Sequence, residues 1–229
     1  MAPIKIAIYG KTPESKAQLQ KEIQKSGFIL DENKPEIVIS YGGDGTFLWA
    51  ERKYPGIPKA LFRYSNVCKK CHNLPITHAL QLIKKRKYKL ISHKKLQAKV
   101  DKTVLLATND IVVRNSLPTH AIRFTIKING KESKEHIGDG IVIATTFGST
   151  GYFHSITRQK FSKGMGIAFN NTTIEQKPIF LPESARIELK LTRGEAFVVT
   201  DNEPRTILLT PGKSVTITTS SKKAKLVSF

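Results

Sequence analysis

The sequence predicts an α/β domain with a Rossmann-like parallel sheet over residues 1–92, followed by an all-β domain, an antiparallel sandwich, over 93–229. Three observations lead there. Up to about His93, short apolar runs alternate with helical patterns, the signature of a parallel sheet with crossover helices. Beyond it come short β-branched segments with alternating polarity and frequent turn signals, as in a sandwich. The join is a change of hydrophobic period, with no low-complexity linker and no internal repeat.

In the first domain, "IKIAIYG" (Ile4 to Gly10) is an apolar run ending in glycine, suited to a buried parallel strand. The following helix has Thr12 as N-cap, Pro13 at its first position and Gly27 just past its end. Leu19 and Ile23, four residues apart, mark its inner face. "FIL", "EIVISY" and "IPKALF" are further strands, and a helix is expected around Phe47 to Arg52. "NLPITHALQLIKK" reads as a helix with Ile76, Leu80 and Ile83 on one side. In the second domain "LQAKV", "VLLATNDIVV", "HAIRFTIKI", "GIVIATT", "ARIELKL", "AFVVT", "TILL" and "SVTITT" read as strands. Asn129-Gly130 predicts a type I′ hairpin, and Asp201 to Pro204 and Pro211-Gly212 predict further turns.

The 229 residues carry 38 Lys+Arg against 18 Asp+Glu, a net charge of +20, which points to anionic partners or a solvated basic surface. The dense patch at Lys84 to Lys95 is Lys-rich without interleaved aromatic platforms, so it reads as the exposed end of a helix rather than a nucleic-acid site. No apolar run approaches the ~18 residues needed to span a bilayer. The N-terminus turns polar too soon for a signal peptide, so a cytoplasmic protein is expected. Cys68, Cys71 and His72 form a C-x-x-C-H stretch. Haem attachment would need export, zinc a second ligand pair, and a thioredoxin-like dithiol a helix start in a βαβ unit. None is supplied, and we read two free thiols in a turn.

Chemistry concentrates in three stretches. "ISYGGDGTFLWA" (Ile39 to Ala50) is a strand, a glycine turn and a helix start, the architecture that attracts phosphate to backbone N–H groups. It is neither G-x-x-x-x-G-K-S/T nor G-x-G-x-x-G. Gly42 and Gly43 permit close backbone approach, Gly45 keeps the helix start open, and Thr46 can cap or donate to a phosphate. Asp44 stands where a phosphate would be repelled. It is either the helix N-cap or a carboxylate that takes the proton of an attacking hydroxyl while Mg²⁺ offsets the charge. The second stretch, "GDGIVIATTFGSTGYFHS" (Gly138 to Ser155), is a strand flanked by Asp139 and a Gly-Ser-Thr-Gly-Tyr turn, where hydroxyls and the Tyr152 ring could line a nucleotide pocket. In the third, "ATNDIVV", Asn109 and Asp110 interrupt an apolar strand, which implies a strand end facing a cleft or a bulge.

In that order, "GGDGT", "TNDIVV" and "DGIVIATTFGSTGY" closely resemble the NAD kinases. The resemblance spans most of the chain, and the second motif separates it from the lipid kinases that share GGDGT. It implies an N-terminal α/β domain, a C-terminal β domain and NAD in the cleft between them. It implies Mg²⁺-dependent phosphorylation of the adenosine 2′-hydroxyl, with ATP or polyphosphate as donor, in a homo-oligomer. Asp44 would be the general base, with Gly43, Gly45 and Thr46 near the diphosphate. Asn109 and Asp110 match the pair that holds the nicotinamide-side ribose and carboxamide. Asp139 matches an Asp that reaches a bound nucleotide in oligomers. Thr150, Gly151, Tyr152 and Ser155 match adenine and ribose contacts, and Asp201 a late Asp near the reacting ribose. The chain departs from the pattern at Asp110 (usually Glu), at Phe147 and Gly151 (usually Pro and Ala), and in the segment Phe62 to Pro75 that should line the cleft. It also lacks the Gly-Gly-Pro and DGQ signatures, and it ends at "KLVSF" without the extension that many members fold back on the first domain. A lipid or sugar kinase, a non-catalytic NAD(P)-binding regulator and a nucleic-acid-binding protein are the alternatives, the last without a recognition motif.

Overall fold

The computed structural model of the chain describes residues 3–64 and 68–229. It divides into two compact units, Met1–His93 with Lys223–Phe229, and Lys94–Lys222.

The first unit runs β1 (Lys5–Gly10), α1 (Pro13–Lys25), β2 (Ile29–Leu30), β3 (Ile37–Gly42), α2 (Asp44–Lys53), β4 (Lys59–Arg63) and α3 (Ile76–Lys84). The strands pair in parallel in the order β2-β1-β3-β4. Apolar side chains at Ile6, Ile8, Ile37 and Ile39 meet Leu19 and Ile23 of α1 and Leu80 and Ile83 of α3 in one core. The start of α1 is a reciprocal cap: the Ser15 amide donates to Thr12 Oγ1 at 3.2 Å and the Thr12 amide to Ser15 Oγ at 3.0 Å. Its end is Gly27, at φ +77°. The final residues return to this unit. Leu226 pairs in parallel with Lys59, and Val227 is buried in the same core. The sequence assigns this tail to the β domain. Its apolar residues, Leu226, Val227 and Phe229, are too few to reveal a parallel partner.

In the second unit the strands are β5 (Lys89–Val100), β6 (Thr103–Ala107), β7 (Asp110–Asn115), β8 (Ile122–Ile128), β9 (Lys131–Glu132), β10 (His136–Gly138) and β11 (Gly140–Thr145). After the short helix α4 (Tyr152–Thr157) come β12 (Met165–Asn170), β13 (Ile179–Leu181), β14 (Ile187–Arg193), β15 (Ala196–Thr200), β16 (Ile207–Leu209) and β17 (Ser214–Ser228). One antiparallel sheet runs β13-β12-β11-β7-β15-β16. The other has the path β10-β8-β14-β17, with β5 and β6 joined through β17 and β9 on β8. Ile111, Val113, Ile141 and Ile143 of the first share a core with Phe124, Ile126, Ile187 and Leu189 of the second. The opposite face of β7, β11 and β12 is also covered, by Phe153 of α4 against Val112, Val142 and Ala168. That double burial explains why "GIVIAT" is buried at every position, and apolar from Ile141 to Ala144, instead of alternating. The Asn129-Gly130 turn has positive φ at both residues, +49° and +91°, as a type I′ hairpin requires.

Two expectations change. The basic run is not a helix end beyond Lys84: Lys89 to Lys95 lie in β5, whose first four residues are exposed. And "VLLATNDIVV" is not one interrupted strand, because β6 ends at Ala107 and β7 starts at Asp110.

The pattern also hides a buried ion pair. Lys59, fully buried, donates to Glu51 Oε2 and to the Tyr54 carbonyl, and Glu51, 2% exposed, also accepts the Gly56 amide at 3.0 Å. Removing one partner strands a charge. Lys59→Met should therefore cost about 3–5 kcal/mol in urea unfolding, with much of it recovered when Glu51→Leu is added. A single-variant loss below about 1 kcal/mol would mean that the pair behaves as a solvated one.

Candidate functional site

The glycine loop sits at the carboxyl end of β3, where open parallel sheets bind ligands. Gly42 must be glycine, since a Cβ there would lie 2.1 Å from Thr46 Oγ1. Gly43 is the N-cap of α2, and its amide donates to Thr46 Oγ1 at 3.2 Å. Thr46 is buried and its hydroxyl oxygen ties the loop to the helix. Asp44 is thus the first helical residue, not the cap. Its carboxylate instead accepts two successive amides from a distant loop, Lys69 N–H on Oδ2 at 3.0 Å and Lys70 N–H on Oδ1 at 3.1 Å.

Those amides belong to a closed ring. Cys68 and Cys71 form a disulfide, so the expectation of two free thiols is overturned. Two cysteines three residues apart in a turn reach each other through the backbone reversal itself. Cys68 Sγ lies 3.3 Å from Asp44 Oδ1, and Cys71 Sγ 4.0 Å from the Gly42 carbonyl oxygen. In the altered segment Phe62 to Pro75, residues 65–67 lie outside the described residues. Its far end returns to β4, with the His72 amide donating to the Leu61 carbonyl at 2.9 Å. His72 Nε2 meets the Val227 carbonyl at 2.9 Å, and burial lowers the pKa of its ring.

A cavity of about 610 Å³ opens beside this loop, lined by Tyr9, Gly10, Lys11, Gly43, Asp44, Gly45, Thr46 and Trp49. The Arg52 guanidinium stacks 3.6 Å from the Trp49 ring centroid. Lys11 and Trp49 escape sequence reading. The available signal is that β1 ends at Gly10, on the same carboxyl edge as β3.

In the second unit the expected residues Asn109, Asp110 and Asp201 come together. The Asp201 carboxylate accepts three successive amides: Thr108 N–H at 2.7 Å, Asn109 N–H at 2.7 Å and Asp110 N–H at 3.1 Å. Asn109 and Asp110 are therefore a turn and a strand start, satisfied from outside, and not polar residues within one strand. The neighbouring turn is knitted to them. Thr145 Oγ1 donates to the Thr108 carbonyl at 2.6 Å and accepts the Gly148 amide at 3.0 Å. A Cβ on Gly148 would lie 2.1 Å from the Asn109 carbonyl oxygen, so glycine is obligatory there. Gly151 borders the same place, its Cβ position being 3.9 Å from Asp110 Oδ2. Burial, reinforced by the Asp201 charge, pushes the Asp110 carboxyl up to about 7. Burial also raises Asp201, against the opposing pull of its three amides and of Lys95.

Other expected contacts are spent locally or lie apart. Thr150 belongs to a single 3-10 turn, Gly148–Thr150. Tyr152 opens α4 with a partly exposed ring, its phenol oxygen accepting Asn170 Nδ2 at 3.3 Å. Ser155 Oγ donates to the Tyr152 carbonyl at 2.7 Å. Ser149 is buried. Asp139 is not gathered with Asp110. It precedes Gly140, which pairs with Arg114, whereas Asp110 pairs with Ala144 at the other end of β11. Its carboxylate accepts Asn115 Nδ2 at 3.3 Å and Asn171 Nδ2 at 3.2 Å.

Comparison with known proteins bears on these geometries. Residues 108–229 match the family model of the ATP-NAD kinase C-terminal domain. The NAD kinase of Sulfurisphaera tokodaii is 30% identical over 242 residues, an alignment covering 99% of this chain and 96% of the relative. Among solved structures, an NAD kinase from Archaeoglobus fulgidus in complex with ATP superposes with a TM-score of 0.83 at 20% identity, over 97% of this chain and 93% of that one. Yeast NADH kinase complexed with NADH gives a TM-score of 0.88 at 17% identity, over 100% of this chain and 84% of that one. At those identities the two structures speak for the fold alone, and the fold they share is the one built above. With a family model matched across more than half its residues and a relative aligned over nearly all of them, the chain belongs to the NAD kinase family and is a kinase acting on NAD.

Proposed function

We propose that the protein phosphorylates the adenosine ribose 2′-hydroxyl of NAD, with Asp44 as general base and ATP as donor. One observation carries the assignment. Asp44, held at a helix start by two amides, lines the same cavity as Lys11 and the glycine loop. A carboxylate offers about four acceptor sites, so two amides orient it and leave room for a hydroxyl proton. The deprotonated oxygen attacks the terminal phosphorus, the bond to the bridging oxygen breaks, and ADP departs. Lys11 and the positive end of α2 counter the charge on the phosphates. Gly43, Gly45 and Thr46 shape the wall against which the diphosphate lies. ATP as donor is supported by the ATP complex of the Archaeoglobus relative.

Mg²⁺ fits as a companion of the triphosphate. Among the described residues no three His, Cys, Asp or Glu side chains gather into a cage. Mg²⁺ commonly takes one or two carboxylates plus phosphate oxygens and keeps several waters. Asp44 is the carboxylate at hand, and the ion would neutralise charge on the transferring group. Polyphosphate would suit the same basic surface.

In the second unit, Asn109 and Asp110 are assigned to the nicotinamide-side ribose and carboxamide, and Thr150, Gly151, Tyr152 and Ser155 to the adenosine. Asp110 retains its proton up to about pH 7 and so can donate as well as accept. Asp201 acts on the ribose only through the turn it holds. Asp139, amide-bound at the other end of β11, would reach a nucleotide only in a homo-oligomer. Among the described residues no helix is long and apolar enough to cross a membrane, and a cytoplasmic location suits both substrates.

Asp44→Asn should lower kcat in an NADP-forming assay by roughly 10²–10⁴-fold, and near-wild-type turnover would remove Asp44 from the mechanism. Asp110 supplies a second test. Its folded pKa of about 7 exceeds the unfolded value near 4, so the folded chain binds the extra proton between them. That stabilisation is complete below about pH 4 and is lost as pH rises through about 7. Asp201 shifts in the same direction. Burial lowers the pKa of His72, His93 and His136, whose contribution runs the other way, so the test is the difference. Between pH 5 and 7.5 the urea midpoint of the ligand-free wild type should lose ground relative to Asp110→Asn, and parallel profiles would place Asp110 in a solvated setting.

A further inference from the structure

We propose that Cys68 and Cys71 are a redox-reversible thiol–disulfide site that governs how Asp44 is held, the disulfide being the form competent for catalysis. The proposal rests on Asp44 as base.

The four-residue ring closed by the disulfide contains only Lys69 and Lys70 between its cysteines. Their amides are the two that grip the Asp44 carboxylate, one on each oxygen. Closing so short a ring restricts the backbone at those two residues. The disulfide therefore presents the donors already in place and fixes the direction of the remaining acceptor sites. The sulfurs face the glycine loop on the same side, Cys68 Sγ against Asp44 Oδ1 and Cys71 Sγ near the Gly42 carbonyl. A disulfide sulfur has no proton to donate. After reduction each becomes an S–H group next to an acceptor. The Cys68 thiol would donate to Asp44 Oδ1 and compete with the substrate hydroxyl, while the opened ring releases the amides.

The two sulfurs differ in access. Cys68 is 7% exposed, whereas Cys71 is partly open. A dithiol reductant would thus attack Cys71. One of its thiolates forms a mixed disulfide with Cys71 Sγ, breaking the bond to Cys68, which leaves as thiolate and takes up a proton. The second thiolate then closes the reductant's own disulfide and releases Cys71. Two electrons and two protons pass to the protein, and the dithiol is oxidised by the same amount. In mesophiles the disulfides of cytosolic proteins are usually transient and functional, so a cytoplasmic location, as proposed above, would suit a reversible role for this one.

The test compares the oxidised enzyme with enzyme reduced by dithiothreitol, the state of each cysteine established by alkylation and mass. Reduction should lower kcat roughly 10–100-fold, as a misplaced catalytic group does, with KM for NAD changed less than about twofold. Reoxidation should restore kcat. The double variant Cys68→Ser/Cys71→Ser should stay near the reduced rate and ignore dithiothreitol. Equal kcat in verified oxidised and reduced enzyme would overturn the proposal, as would cysteines that remain thiols after an oxidant. Asp44→Asn separates this from the base assignment. A dead variant with a redox-insensitive parent removes only the switch. A variant near wild-type turnover removes the base, and the proposal that rests on it falls as well.

Discussion

A backbone N–H that leaves a β-ladder must find another acceptor, and in each unit a carboxylate answers that need. At Thr108, Asn109 and Asp110 the chain passes from β6 to β7, and the Asp201 carboxylate takes all three amides. At Lys69 and Lys70 the chain crosses over the glycine loop, and Asp44 takes both. Each carboxylate thus shapes a segment far from it in sequence. Each is worth more than a neutral acceptor would be, since bonds to a charged group are roughly twice as strong.

The two carboxylates meet this need under different conditions. Asp201 is enclosed, so burial works against its charge and the amides work for it. It is best understood as the pin of a turn, and Asp110 beside it inherits the electrostatic cost. Asp44 stands at the mouth of a cavity with Lys11 and the start of a helix, where negative charge is welcome. A group held by amides from one side and open on the other suits proton transfer. A group wrapped by amides suits architecture.

Much of this was legible in the sequence where the signal is local. Thr12 and Pro13 announce α1 and Asn129-Gly130 the hairpin, because each depends on residues a few positions away. The motifs around Asp44, Asn109 and Gly148 were visible for the same reason. What was hidden depends on how side chains are placed in three dimensions, which no hydrophobic pattern or turn signal encodes. Nothing near Lys59 shows that Glu51 neutralises it in the interior. The lysines at the start of β5 mask its strand character because that stretch is exposed and makes no alternating apolar face. The disulfide needed the turn geometry at Cys68 and Cys71, and the split of "VLLATNDIVV" needed Asp201, some ninety residues downstream.

The return of the chain end to the first unit has a consequence for synthesis. Val227 fills the core beneath β4, its carbonyl meets His72, and the Phe229 ring packs edge-on against the same imidazole. The ribosome makes the first four strands early and those closing residues more than a hundred and fifty positions later. At about 5–20 residues per second, the nascent first unit waits many seconds with the Lys59 end of that flank of β4 unpaired. Its glycine loop exists from the start, but the frame around it is finished only after the whole β domain has emerged.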